Sequence, residues 1–571
     1  MKKILTFCLL AITFISPVFA ADILSDSDAE IYTKIFALTR TEKHNDAKNL
    51  ESEIKDNLLM SDVLHTRYMS KTYRTSGAEL AAWLTAHNTK PGADNMHKMA
   101  LKRNVKSTGA KLPRTIHGSA PENAQNEAWT TKKYTGDAAA NITKFRNALR
   151  RGNTKNAREL LESAAFKRQI STEDYGRLAG RLGFIYYTNA EFELARRFAQ
   201  IGADAKSEYG HWTLGLMSFK DGNFRTAEKH FMAIVDLPQI NQQRKTEVTF
   251  WAGRSALFAD DLLSARRHWM VASAHPSNFY GALANAALGT APRYEFFATE
   301  MTDSDIRELS ATDYGRSALA LLQINEPVLA EQHLRLLITS SASDRLLHAV
   351  HALANSAELP RTAMQVSGVV RDRGILEIDS SIITAAQYPM PDWEPMGGWS
   401  IDRALLFAIT RQESGFRPNA QSNKGATGVM QLMPRTARSV AASQNVKMSD
   451  IDMKNPEHNM FLGQQYIVDI LNLPAVDGSI IKMLVAYNAG QGAMARWERQ
   501  FQTDDPLLFI ESFPAKESRD YVRRVMANLW LYRARLGQPN PSMRELANGQ
   551  WPRYETSDKF VIDQIAERNI I

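Results

Sequence analysis

Cysteine is almost absent from this chain: the one present, Cys8, falls within the first ten residues. Everything after it therefore lacks an internal disulfide, a thiolate metal site and a thiol nucleophile. Cys8 also lies inside the apolar run from Ile4 to Ile15, not at its end, where a lipid-attachment cysteine would stand. Long apolar runs are missing as well. Beyond the first twenty residues none approaches the ~18 residues of a membrane-spanning helix, so the rest is expected to be soluble. Histidine is scarce in the last third, where residues 386–571 hold only His458. With one histidine and no cysteine there, a nucleophilic triad or a thiol mechanism has almost nothing to work with. No HExxH pair, Cys/His cluster or phosphate-cradling loop occurs, so no metal and no cofactor is expected.

What is present begins with MKKILTFCLLAITFISPVFA, residues 1–20, in which Lys2 and Lys3 precede the apolar run and Ala20 precedes Ala21. This pattern is a cleaved secretory signal, the alternative being a buried first helix. Export without cysteine fits the bacterial periplasm, where a large core replaces covalent staples. The length, 571 residues, calls for more than one domain. Net charge is +7, or +5 once Lys2 and Lys3 leave, and residues 101–170 hold 15 Lys or Arg against five Asp or Glu. That stretch reads either as a surface for an anionic polymer or as a solvated helix face with a polar loop, no aromatic platform accompanying it. Nucleic acid is not an expected partner.

From about residue 25 to 385 apolar residues recur at helical three-and-four spacing. Three segments look alike: NAEFELARRF (189–198), GNFRTAEKHF (222–231) and DDLLSARRHW (260–269). Each places a small alanine (Ala195, Ala227, Ala265) three residues after a bulky one (Phe192, Phe224, Leu262), with an aromatic following. The alanines stand 32 and 38 residues apart. This resembles irregular tetratricopeptide-like helix pairs, though any stack of helices produces weak periodicity. GAKLPRTIHGSAPENAQN (109–126) is a polar connection, and QYPMPDWEPMGGWS (387–400) is a break after which the sequence changes style.

Past that break, Ser400 is expected as N-cap and Asp402 in the first turn of a helix. Ile401, Leu405 and Ile409 step at i+4, and the next member of the row is Glu413, carried to the edge of an apolar region before Gly415 turns the chain. Desolvation and the negative helix end both favour a protonated carboxyl there, which suits a general acid. Alone, the residue would read as a helix-end glutamate bound to backbone or arginine. It is followed by GATGVMQLMPRTA (425–437), with Gln431 and a helix opened by Pro434. Next comes SIIKMLVAYNAG (479–490), with Ser479 as cap and Tyr487 and Asn488 at its end. Last is KESRDYV (516–522), with Glu517 and Tyr521 one turn apart.

RQES, GATGVMQLMP, AYNAG and E-x-R-x-YV, in this order over about residues 386–540, resemble the soluble lytic murein transglycosylases, bacterial periplasmic enzymes that cut peptidoglycan glycan strands. The resemblance implies an all-α fold: an N-terminal superhelix of helix pairs over 21–314, a helical linker over 315–385 and a lysozyme-like catalytic domain over 386–571. It further implies that Glu413 alone is catalytic, first as acid at the β-1,4 bond between N-acetylmuramic acid and N-acetylglucosamine, then as base for the muramyl C6 hydroxyl that closes a 1,6-anhydro ring. By the same resemblance Ser414 orients Glu413 or binds sugar, Gln431 and Met433 contact acetamido groups, Tyr487 bonds near the scissile linkage and Asn488 shapes the floor. Glu517 and Tyr521 face Glu413 across the cleft. Glycan strands are the expected partner, with peptidoglycan synthases as further candidates and a monomer as the working state. A hydrolysing muramidase of the same fold and a non-catalytic wall-binding scaffold are the alternatives.

Overall fold

The computed structural model describes residues 22–106, 109–116, 128–238, 240–292, 294–297, 300–375, 382–559, 561–563 and 566. The signal segment expected at 1–20 and residues 117–126 of the polar connection lie outside them. Helices make up the fold. Among the described residues the only sheet is a pair of three-residue strands, Glu295–Phe297 and Ile382–Thr384. The all-α expectation holds, and no described helix is long and apolar enough to cross a membrane.

The chain forms two compact units. One takes in the described residues up to 116 together with those at 297–377 and 384–389. Its core joins Tyr32, Ile35 and Phe36 of the first helix, Asp26–Arg40, to Leu319, Leu334 and Val350 from far along the sequence. Polar groups follow the same long-range pairing. The Leu24 amide donates to Gln323 Oε1 at 2.9 Å, and buried Asp62 lies 2.9 Å from His333 Nε2.

The second unit opens with three helices, Gly136–Arg150, Thr154–Glu162 and Ala164–Gln169, and continues with consecutive antiparallel helices: α1 (Thr172–Thr188), α2 (Phe192–Asp204), α3 (Glu208–Lys220), α4 (Phe224–Val235), α5 (Gln242–Phe258), α6 (Leu262–Ser273) and α7 (Phe279–Ala287). The three look-alike segments open α2, α4 and α6. Each follows the same turn: a left-handed residue (Ala190, Gly222, Asp260), after which the next amide reaches five residues back, Glu191 to Tyr186, Asn223 to Ser218 and Asp261 to Ala256. Ala195, Ala227 and Ala265 are buried, as expected of a close helix approach. Leu262 departs from the pattern, being 67% exposed where Phe192 and Phe224 are half-buried. A glycine of the preceding helix faces each of α2, α4 and α6. A Cβ on Gly183 would meet the Ala199 backbone at 2.6 Å, one on Gly215 the Phe231 ring at 2.6 Å, and one on Gly253 the Trp269 ring at 2.5 Å. These glycines repeat with the same 32- and 38-residue spacings as the alanines.

Part of the basic stretch is taken up inside this unit. Trp129, itself within 101–170, has the Arg146 guanidinium 5.1 Å and the Arg181 guanidinium 4.4 Å from its ring centre. An aromatic does accompany the charge, then, and its faces are covered by the protein's own arginines.

The same unit contains α8 (Arg403–Ser414), α9 (Pro434–Ser443), α10 (Pro456–Leu471), α11 (Ile480–Ala489) and α12 (Lys516–Arg535). α12 is central, packing on α8, α11 and α7. Its underside is tied to the antiparallel helices by charge. Arg523 pairs with Glu247 of α5 at 2.7 Å, with Glu511 of the short helix Pro506–Ser512 at 3.1 Å and with Asp520 at 2.5 Å, all three largely shielded from water. The Tyr280 hydroxyl of α7 donates to Glu511 at 2.5 Å, Tyr187 of α1 bonds Ser512 at 2.6 Å, and Arg254 of α5 pairs with Asp505 at 2.5 Å. Removing the cation from such a cluster strands buried anions. Arg523→Met is expected to cost about 3–5 kcal/mol in urea unfolding, whereas losing the arginine of an exposed pair such as Arg553 with Asp477 should leave the urea midpoint nearly unchanged.

Candidate active site

α8 carries the row seen in sequence. Ile401, Leu405 and Ile409 are buried, and Glu413 occupies the last turn before Gly415, whose φ of 57° ends the helix in the left-handed region. The helix start differs from expectation. Asp402, not Ser400, is the N-cap, and its side chain does no capping. The carboxylate is buried and takes Arg533 Nη2 at 2.9 Å, the Ser557 amide at 3.2 Å and the Thr556 hydroxyl, which anchors the C-terminal segment. Ser400 instead donates its amide to Gln464 Oε1 at 2.9 Å.

The GATG stretch is a tight loop pinned from three sides. Thr427 and Leu432 exchange backbone hydrogen bonds at 3.0 and 3.1 Å, and the Gly428 amide reaches Ala420 at 2.9 Å. Asn459 of α10, fully buried, accepts from the Met430 amide at 2.8 Å and donates to the Thr427 and Met453 carbonyls at 3.1 Å. Gly428 is obligatory on two counts, a φ of +85° and a Cβ position 2.2 Å from Asn459 Nδ2. Gln431 is also left-handed, and its amide nitrogen donates to Ala420 and Gly428 carbonyls at 3.1 and 2.9 Å, leaving Oε1 as the atom it offers outward. Met433, next to Pro434 at the start of α9, is 42% exposed.

α11 is capped by Ser479 as expected and ends at Gly490. Tyr487 donates its hydroxyl to the Met430 carbonyl at 2.8 Å, joining α11 to the loop, and its ring lies parallel to that of Tyr521 at 6.5 Å between centres. Asn488 Oδ1 accepts from Ser518 at 2.6 Å, which fixes α11 against the first turn of α12.

These contacts frame a cleft of ≈ 510 Å³, within the range of small-ligand sites. Glu413, Asn488, Glu517 and Tyr521 line it together. Tyr487 stands behind Tyr521, and Gln431 and Met433 belong to the neighbouring loop. Ser414 faces inward: it is buried, donating to the Thr410 carbonyl at 3.2 Å and accepting from the Arg417 amide at 3.3 Å, which ties down the helix end beside Glu413. Gln412, Lys516, Asp520 and Arg524 line the cleft as well. The sequence reading missed them, although Lys516, Asp520 and Arg524 follow the same i, i+4 spacing that singled out Glu517 and Tyr521.

Burial pushes the Glu413 carboxyl up to about 7. The neighbouring Tyr521 hydroxyl opposes the shift in part, although its geometry falls short of a regular hydrogen bond, and the Glu517 charge adds to it. About half of the molecules thus hold the proton at pH 7, against roughly one in 500 for an ordinary glutamate. Burial also keeps the Tyr487 and Tyr521 hydroxyls protonated. The site pairs a weak acid at neutral pH with a polar cleft, an arrangement suited to donating a proton.

A model of the Transglycosylase SLT domain matches residues 394–510. The C-terminal part is thus a helical domain similar to the Transglycosylase SLT domain. The soluble lytic murein transglycosylase of Salmonella typhimurium is 33% identical over 164 residues, 27% of this chain and 24% of that protein. The endo-type membrane-bound lytic murein transglycosylase A of Klebsiella pneumoniae is 35% identical over 144 residues, 23% of this chain and 70% of that protein. The chain belongs to the lytic murein transglycosylase family. Its match spans about a quarter of the length of the soluble relatives. The fold is shared with an inactive mutant of a lytic transglycosylase from Pseudomonas aeruginosa, with a TM-score of 0.57 and 18% identity over 89% of this chain and 76% of that one. The 70 kDa soluble lytic transglycosylase of Escherichia coli gives a TM-score of 0.56 and 18% identity over 93% of this chain and 100% of that one.

The raised carboxyl has a stability consequence. The folded state holds this proton up to about pH 7, while the unfolded chain releases it near 4.5, so stability falls between those values and levels off above them. Glu413→Gln keeps the neutral form at every pH. The variant should therefore gain on the parent as pH rises from 4.5 to 7, reaching at most roughly 3 kcal/mol, and the two urea midpoints should converge near pH 4.

Proposed function

We propose that this protein is an exported, periplasmic lytic transglycosylase that cleaves the β-1,4 bond between N-acetylmuramic acid and N-acetylglucosamine in peptidoglycan and leaves 1,6-anhydro ends. The observation that carries the reading is Glu413, a carboxyl titrating at about 7 and lining a cleft at the end of a buried helix. Glu413 protonates the glycosidic oxygen as the bond breaks. Its own negative charge then forms beside the Tyr521 hydroxyl, which favours the ionised carboxyl. The carboxylate next takes the proton of the muramyl C6 hydroxyl, whose oxygen closes on C1. An intramolecular hydroxyl has a high effective concentration, which lets it outcompete water in a shielded cleft. Ordinary glycosidases divide acid and nucleophile between two carboxylates. Here Glu517 is exposed at the first turn of α12, and its role is to raise the Glu413 carboxyl by its charge.

The remaining roles follow the contacts. Asn488, held by Ser518, forms part of the floor. Gln431 Oε1 and Met433 meet the acetamido groups, and Tyr487 holds the loop to the cleft. Ser414 fixes the helix end that carries Glu413. The partner is the glycan strand, with peptidoglycan synthases as further candidates and a monomer as the acting form.

Mass spectrometry of the soluble products from purified peptidoglycan tests the reading. Products ending in 1,6-anhydro-muramic acid are expected, and Glu413→Gln should lower their release by at least a thousandfold. Ordinary reducing ends would mean that water is the acceptor and the enzyme a muramidase; no release by the parent protein would leave a wall-binding scaffold. Because the first step needs the protonated acid, kcat/KM should fall about tenfold per pH unit above pH 7.

A further inference from the structure

Eleven large apolar side chains are exposed among the described residues, and six of them fall between Leu257 and Val271. Leu257 and Phe258 end α5; Leu262, Leu263, Met270 and Val271 stand on α6 and are 58% to 76% exposed. Single exposed apolar residues are ordinary, whereas a contiguous group marks a surface that something covers.

The pattern on α6 is regular. At about 100° per residue, Leu262, Arg266, Met270, Leu263, Arg267 and Val271 follow one another around the half of the helix turned away from the buried Ala265, Trp269 and Ala272. Apolar and guanidinium groups therefore alternate. Arg266 and Arg267 are exposed and make no ion pair with any described residue; Arg267 reaches only the Ser264 hydroxyl, at 3.0 Å. The surface continues onto α4, which Glu228 joins to His268 of α6 at 2.9 Å. There Arg225 and Lys229 are exposed and likewise unpaired among the described residues. Asp260 and Asp261 sit in the turn before α6, and Asp261 caps it by accepting from the Ser264 amide at 3.0 Å. The outer half of α6 itself carries no acid.

This composition selects among occupants. A second copy of the chain, docked face to face, would bring like charges together with no acid between them. A protein partner is recognised by donors and acceptors in fixed directions, and these six side chains offer no acceptor. An anionic bilayer surface needs only what is here: apolar groups that enter the acyl boundary, and guanidinium groups on long apolar stems that rise to the phosphates.

We propose that the outer half of α6, with Arg225 and Lys229 of α4 beside it, is a peripheral docking face for a lipid surface carrying anionic headgroups. The four apolar side chains of α6 enter the boundary between headgroups and acyl chains, and Arg266 and Arg267 pair with lipid phosphates. A single helix of 12 residues inserts shallowly, so attachment is reversible and draws on charge and apolar burial together. None of these residues lines the cleft around Glu413, so docking leaves the cleft open.

The test uses the processed chain beginning at Ala21, which keeps every described residue and leaves out the apolar run Ile4–Ile15. It is sedimented with vesicles of phosphatidylglycerol and phosphatidylcholine in equal parts, and with vesicles of phosphatidylcholine alone. Binding about tenfold tighter to the anionic vesicles is expected, weakening as salt is raised. Arg266→Gln with Arg267→Gln should lower the partition coefficient about tenfold, and Leu263→Gln with Met270→Gln by a similar factor at every salt concentration. All four positions are exposed, so the urea midpoints should match the parent, which separates loss of docking from loss of fold. No binding, equal binding to the two vesicles, or binding indifferent to both double variants would overturn the proposal; the last would place the lipid contact elsewhere, as on the basic stretch 101–170. Sedimentation equilibrium without lipid decides the remaining alternative: a dimer that Leu263→Gln with Met270→Gln takes apart would make the face a contact between copies and overturn the lipid reading, and a monomer upholds it.

Discussion

Arg523 is the interaction on which the second unit depends. One guanidinium stands among three carboxylates, from α5, from the Pro506–Ser512 helix and from its own helix. Such a cluster is stable only when every lone pair and every N–H finds a partner, because desolvation of each ion otherwise exceeds the Coulombic gain. The two carboxylates from outside α12 are driven apart. Burial would raise Glu247, but Arg244 and Arg523 more than reverse it; burial raises Glu511, and Arg523 does not fully offset it. Tyr280, donating to Glu511, completes the arrangement. Because α12 is a helix, fixing Arg523 and Arg519, which donates to the Phe513 and Pro514 carbonyls, also fixes what the opposite face presents. That face holds Glu517, Tyr521 and Arg524 at the cleft.

Glu413 is placed by a contest of the same kind, resolved differently. Arg411, two residues earlier, bonds Asn528, and no ion pair with any described residue reaches Glu413 itself, so burial wins. A cation at that point would hold the carboxyl ionised and remove its use as an acid. The site tolerates a destabilised charge because the helix beneath is over-determined by Leu405, Ile409 and the neighbouring Ser414 staple. A buried carboxyl without a counter-charge lowers stability at neutral pH, and the proposed use of Glu413 as an acid depends on that same burial.

Local periodicity made much of this legible. The helical class, the end-of-row position of Glu413, the left-handed Gly415, Pro434 as a helix opener and the Ser479 cap all follow from spacing and backbone chemistry within a few residues. The motif set led to the family. What stayed hidden was non-local. Ser400 looked like a cap because nothing nearby reveals that Asp402 is claimed by Arg533 and Thr556, more than 130 residues on. The glycines facing α2, α4 and α6 carry no local signal, because a glycine inside a helical pattern reads as a penalty until the backbone or ring it accommodates is known. The packing of residues 22–68 with 300–370 has no local signature at all.

The charge around α12 also explains why the antiparallel helices and the residues from 390 onward form one unit. Joined by a linker alone, the two would be expected to move as separate bodies. Instead α5 contributes Glu247 and Arg254, α1 contributes Tyr187 and α7 contributes Tyr280, each bonded to a residue between Asp505 and Arg523. Without those helices Arg523 would lose one of its three anions and Glu511 its hydroxyl donor, while Phe279 would no longer cover Trp530. The antiparallel helices act on the cleft through α12. They supply counter-charges and ring contacts to the helix that forms its wall, so the geometry at Glu413 rests in part on residues more than 150 positions earlier.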